Sequence, residues 1–166
     1  MISGPLKWYT VALALQQAVH VGLTDTPQRS GVVPGAIAWD ACDCGMLAVS
    51  VARVYPSERF PDEATTRTSG PCDAPWEVGE IVIQIIRCAP NPTGQSLYPT
   101  TTALDTSAQQ VARDAYETLR AVSQTLCELR DADDVDDFLI RPQVMQGPLG
   151  GCVGSELRAW VCLPRN

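Results

Sequence analysis

The chain closes on a stretch, Gly147 to Leu163, that reads GPLGGCVGSELRAWVCL. Its glycines could cradle a phosphate, or they could turn the chain into a last strand. A phosphate loop needs a strand before it and a helix after it, so that backbone N–H groups and the helix N-terminus converge on the anion. Here the glycines are followed by Ser155, Leu157, Ala159 and Val161 alternating with Glu156, Arg158, Trp160 and Cys162, the two-residue period of a β-strand. No lysine follows the glycines, as a phosphate loop requires. The stretch is predicted to be a tight connection into a strand, with glycine supplying the positive φ of the turn.

Working backwards, FLIRPQVMQ before the glycines gives another short strand, which Pro142 assigns to an edge or a bulge. Upstream of it the apolar positions Ala108, Val111, Ala115, Leu119, Val122, Leu126 and Leu129 step by three and four, predicting a long helix capped by Asp105. Leu119 sits at the centre of that stripe, so an aspartate there is expected to unfold the domain. WEVGEIVIQIIRCAP, from Trp76, is apolar on both faces near Ile81 to Ile86 and predicts a central strand. GMLAVSVARVYP, Gly45 to Pro56, predicts a second long strand with a proline stop. Trp8, Val11, Leu15, Val19 and Leu23 share one face of an N-terminal helix, for which Ser3 is a candidate cap and Pro5 suits the first turn. Residues 24 to 38, rich in turn formers, are expected to be extended or loose. The expectation is an α+β fold: an antiparallel or mixed sheet of about four strands, with the N-terminal helix and one long helix on one face.

A length of 166 residues suits one domain spanning 1–166. At that size a domain buries about two-thirds of its unfolded surface and needs no metal or bridge as a staple. The apolar run after Lys7 is interrupted by Gln16, Gln17 and His20 and precedes no small-residue cleavage site, so it is not expected to be a signal peptide. No run reaches the roughly 20 apolar residues of a membrane span. Folding in a cytoplasm is expected, where thiols are reduced, and an odd count of seven cysteines cannot pair completely within one chain. The net charge of −7, with only 12 scattered basic residues, argues against gripping nucleic acid. An acidic surface would nevertheless suit a conduit through which DNA slides without sticking.

The candidate chemistry is sparse. His20 is the one histidine and lies on the polar face of its helix, so a Ser-His or Cys-His pair would depend on it alone. Between Glu128 and Asp137 six acids stand against one base, but the cluster lacks the glycine and glutamate positions of an EF-hand and reads as a solvated corner that helps to end the helix. Cys42 and Cys44 are too close in sequence for the knuckle of a structural zinc site. Small buried thiols and a disulfide among Cys42, Cys44, Cys72 and Cys152 both remain open. Residues 56–75 hold four prolines, a charged run and no periodicity, the signature of a long loop that functions or awaits a partner. Its charged and aromatic side chains, Glu58, Arg59, Phe60, Asp62, Glu63 and Arg67, are the candidate interaction residues. No catalytic, cofactor or metal-binding residue is expected.

The pieces AWDACDCGMLAVSVARVYPS, CDAPWEVGEIVIQIIRCAP and GPLGGCVGSELRAWVCL, in that order with a long helix before the last, resemble the head-to-tail connection proteins of long-tailed phages of actinobacteria, most closely the tail terminators. The resemblance implies a structural, non-enzymatic virion protein that forms a ring, usually a hexamer, at the head-proximal end of the tail tube. Such a ring ends tail polymerisation and joins the tail to the head. Its implied partners are other copies of itself, the tail tube protein and the connector or stopper, while DNA passes through the channel without specific binding and no membrane is involved. It would be assembled in the host cytoplasm and reside at the head-tail junction of the virion. The alternatives are another neck ring, such as the head-closure stopper, and a stand-alone α+β adaptor.

Overall fold

In the computed structural model, residues 2–37, 45–64, 74–92 and 98–164 are described. The alternating tail of the sequence forms β6 (Cys152–Pro164) and occupies the middle of a six-stranded mixed sheet. Along one side it pairs antiparallel with β3 (Trp76–Cys88) over its whole length, from Cys88 opposite Cys152 to Trp76 opposite Pro164. Its other side is shared by two short antiparallel strands, β4 (Asp137–Ile140) and β5 (Val144–Leu149). β3 pairs in turn with β2 (Met46–Ser57), and β2 pairs in parallel with the edge strand β1 (Arg29–Val32).

The sheet therefore has six strands rather than the expected four or so, for two reasons. FLIRPQVMQ divides around Pro142, which lacks the N–H to continue a ladder, into β4 and β5. In the stretch expected to be loose, Arg29 to Val32 pairs with Met46 to Val49 as an added edge strand. The glycine stretch behaves as expected. Gly150 and Gly151, at φ 57° and 76°, join β5 to β6 in a two-residue hairpin whose closing pair is Leu149 and Cys152, the positive-φ geometry that matches strand twist. Gly154 is also required: a Cβ there would lie 1.8 Å from the Ile85 carbonyl oxygen.

Alternation sends the odd residues of β3 and β6 to one face, where Ile81, Ile83, Ile85, Leu157, Ala159, Val161 and Leu163 meet both helices. α1 (Lys7–Gly22) contributes Val11, Leu15 and Val19, and α2 (Thr101–Asp131) contributes Val122 and Leu126. The ring of Trp8 lies directly over Gly79, where a Cβ would stand 2.3 Å from it. That contact docks the start of α1 on β3. The Trp8 indole N–H also donates to the Glu77 carboxylate.

Both helix starts differ from expectation. α1 begins at Lys7, with Leu6 at the cap position and no side-chain cap bond, because Gly4 at φ 86° turns the chain before it; Ser3 is not the cap. α2 begins one turn early, with the Thr100 hydroxyl accepting from Ala103 N–H at 3.2 Å, so Asp105 is an internal residue. At its far end Ala132, Asp133 and Asp134 close the helix: Asp133 N–H donates to Arg130 O at 3.0 Å and Asp134 N–H to Leu129 O at 2.9 Å. With Asp133 at φ 57° this is a Schellman motif, which gives the acidic corner its place in the fold.

The buried seam of α2 keeps Ala115, Val122 and Leu126 of the expected stripe but takes in Asp114 and Thr118 in place of Leu119. Asp114, Ala115, Thr118, Val122 and Leu126 are buried, while Leu119 is 41% exposed. The cause is an ion pair that sequence spacing does not show. Asp114, nearly fully buried, takes the Arg87 guanidinium of β3 in two bonds of 2.8 and 3.0 Å. That fork fixes which face of α2 meets the sheet.

Candidate functional site

The even residues of β3 and β6 build the second face of the sheet, which carries no helix among the described residues. At its centre Glu80 projects between two guanidiniums. Its carboxylate accepts from Arg53 Nε at 2.7 Å and from Arg158 Nη1 at 2.8 Å. Arg158 Nε continues to Glu156 at 2.7 Å, and the Gln84 amide donates to the other Glu156 oxygen at 2.9 Å. The result is a charged ladder across β2, β3 and β6. Burial alone would push the Glu80 carboxyl up, but the Arg158 and Arg53 guanidiniums together outweigh it and hold the group below the usual carboxylate range.

Beyond the ladder, where β2 resumes after a register shift between Val51 and Arg53, the same face turns apolar. Tyr55, Val78 and Cys162 form a small second core against Phe60, Trp76 and Trp160. The Arg53 guanidinium covers the Tyr55 ring at 4.9 Å, and Arg141 covers Trp160 at 5.1 Å. Beside this core is a cavity of about 410 Å³, lined by Glu58, Arg59, Phe60, Trp76, Asp136, Asp137 and Cys162.

Of the candidate interaction residues, Glu58, Arg59 and Phe60 line this cavity, and their segment is held more tightly than a loose loop would be. β2 runs through Ser57, and the chain then turns back on itself: Asp62 N–H donates to Arg59 O at 2.7 Å and Ala64 N–H to Pro56 O at 2.9 Å. Two side chains clamp the turn, the Tyr55 hydroxyl donating to Pro61 O at 2.8 Å and the Ser57 hydroxyl to Asp62 O at 2.7 Å. Phe60 is thereby directed into the small core, Glu63 faces Arg53 at 3.5 Å, and Glu58, Arg59 and Asp62 are exposed. Arg67 lies outside the described residues, as do Cys42, Cys44 and Cys72.

Cys152, the remaining candidate for a bridge, is buried at the start of β6, where its thiol donates to Gly150 O at 3.7 Å. At the other end of the strand, burial pushes the Cys162 thiol up to about 12, with Asp136 and Asp137 adding to it. At neutral pH that sulfur stays protonated, and it is the thiolate that acts as nucleophile or metal ligand. His20 is exposed on α1, and Asp131, Asp133, Asp136 and Asp137 are exposed at the end of α2 and the start of β4. Among the described residues no three His, Cys, Asp or Glu side chains converge as a metal site.

A further surface lies at the opposite end of the sheet. The first half of α2 and the β5–β6 hairpin enclose an apolar groove of about 460 Å³, in which Leu104, Val111, Met145, Pro148 and Val153 take part. Leu104 and Met145 are about half exposed, and the neighbouring Val144 and Leu149 more so. Sequence reading missed this surface, although Val144, Met145 and Leu149 around Pro142 and Pro148 were visible as apolar residues in an edge strand. It also missed the Glu80 ladder, for which the signal was two polar residues, Glu80 and Gln84, inside a strand otherwise apolar on both faces. No family model and no curated protein matches the chain.

Proposed function

We propose that this chain is a structural subunit of a phage tail: a ring at the head-proximal end of the tail tube that ends tube polymerisation and joins the tail to the head connector. The observation that carries the reading, beside the resemblance of its sequence to tail terminators, is the apolar groove between α2 and the β5–β6 hairpin. Apolar side chains exposed together mark a surface that another protein covers. A ring needs such a surface on every subunit. The turn around Phe60 supplies a second, charged surface at the other end of the sheet, held in shape by backbone bonds and suited to the tube or connector. In a hexamer the acidic balance would line the DNA path without gripping phosphate.

The reading asks for no catalysis, and it assigns the chain to the head-tail junction of the virion. Its test is to add the purified protein to tail tubes of a long-tailed actinobacteriophage and image the tube ends. The protein should cap one end and halt elongation. Met145→Glu, which puts a charge in the groove at a half-exposed position, should keep its fold and lose the capping.

A further inference from the structure

The pairing of β3 with β6 sets Cys88 directly opposite Cys152. Antiparallel partners alternate between hydrogen-bonded and non-hydrogen-bonded pairs, and only in the latter do the flanking residues carry the bonds. Ala89 N–H donates to Gly151 O at 2.7 Å, which is such a flanking bond. Cys88 and Cys152 therefore form a non-hydrogen-bonded pair, the class in which opposite Cα atoms stand about 4.5 Å apart and both side chains share one face. A disulfide spans Cα separations of about 4.4–6.8 Å. The hairpin glycines Gly150 and Gly151 fix where β6 begins, and so help to hold the register that sets Cys88 opposite Cys152.

We propose that Cys88 and Cys152 are the two halves of a redox-switched cross-strand disulfide, closed by exchange with a small-molecule disulfide such as oxidised glutathione. Cys88 is exposed and Cys152 is fully buried, which assigns the order of events. The Cys88 thiolate attacks one sulfur of oxidised glutathione, forming a mixed disulfide and releasing one glutathione thiolate. Cys152 then gives up its proton, and its sulfur attacks the Cys88 sulfur, releasing the second glutathione. Two cysteines are oxidised by two electrons, and the two released thiolates take up the two protons. The bond joins the two longest strands and encloses α2, β4 and β5 in one covalent loop. Of the remaining described cysteines, Cys162 stays protonated at neutral pH and Cys127 lies on α2. The inference is independent of the phage reading.

The test is to incubate the folded full-length protein with oxidised glutathione, block residual thiols with N-ethylmaleimide and map the protein by non-reducing proteolysis and mass spectrometry. The expected product has lost two hydrogens and yields a peptide pair joining Cys88 to Cys152. Cys152→Ser should instead retain one glutathione on Cys88; if that variant does not fold, the map of the parent protein decides alone. The proposal is overturned if Cys88 of the parent keeps its glutathione, is bridged to Cys42, Cys44 or Cys72, or does not react.

Discussion

Replacing Glu80 by Gln keeps the shape of the side chain and removes the charge that holds the second face of the sheet together. The carboxylate is almost fully buried and accepts two charge-assisted bonds, at 2.7 and 2.8 Å. Each such bond contributes about 1.5–3 kcal/mol. Glutamine can still accept from one arginine, but it turns an NH2 group towards the other. Arg53 and Arg158 are about half exposed, so water can take over part of what they lose, and the cost stays below the 3–5 kcal/mol typical of a fully buried broken pair. The expected loss is about 2 kcal/mol at pH 7, or a fall in Tm of about 4–8 °C for a chain of this size. The sign of the pH dependence follows from the depressed carboxyl. Its contribution is complete above the unfolded-state value of about 4.3 and disappears as pH falls through the lower folded value. Urea unfolding of parent and variant should therefore differ by about 2 kcal/mol at pH 7 and converge as the pH is lowered through the carboxylate range. A difference under about 0.5 kcal/mol at pH 7, within the range of an ordinary surface change, or one that persists undiminished in acid, would refute the assignment of Glu80 as the charged centre of the ladder.

Two further substitutions test the packing. Leu119→Asp should cost about 1 kcal/mol or less, as a half-exposed helix position, whereas Val122→Asp, fully buried against the sheet, should cost about 4 kcal/mol or more and prevent folding at 37 °C; equal melting of the two would mean that the seam of α2 is misassigned. Gly154→Ala should be among the most damaging single-methyl changes in the chain, at about 3 kcal/mol or more, because the added carbon meets the Ile85 backbone rather than a movable side chain. Thermal melting followed by circular dichroism checks both, and a Gly154→Ala protein as stable as the parent would contradict the β3–β6 spacing.

The parts of the fold that were legible in the sequence are those where a single period dominates. Strict alternation in β6, the doubly apolar run of β3 and the three-four spacing of α1 each specify an element without reference to anything else. What was hidden depends on partners distant in sequence. Leu119 looks like the centre of a buried stripe until Arg87 of β3 takes Asp114 and draws the Asp114–Thr118 side of α2 onto the sheet. β1 has no strand signature of its own, and it becomes a strand because Met46 to Val49 offers it a parallel edge. Around the candidate sites, residue types were visible and their assembly was not. Phe60 and its acidic neighbours stood out in a proline-rich loop, but the Tyr55 and Ser57 hydroxyls that shape the turn are ordinary strand residues until the chain folds back on them. Cys88 and Cys152 lie far apart in sequence, and only the register of β3 against β6 brings them face to face.

The most direct test of the functional account is electron microscopy of tail tubes polymerised with and without the protein, combined with its mass in solution. The account predicts a ring-shaped density on one end of each tube, tubes that stop growing when it is present, and bare, growing ends with Met145→Glu. A protein that remains a monomer, leaves both tube ends bare and does not alter tube length would contradict it.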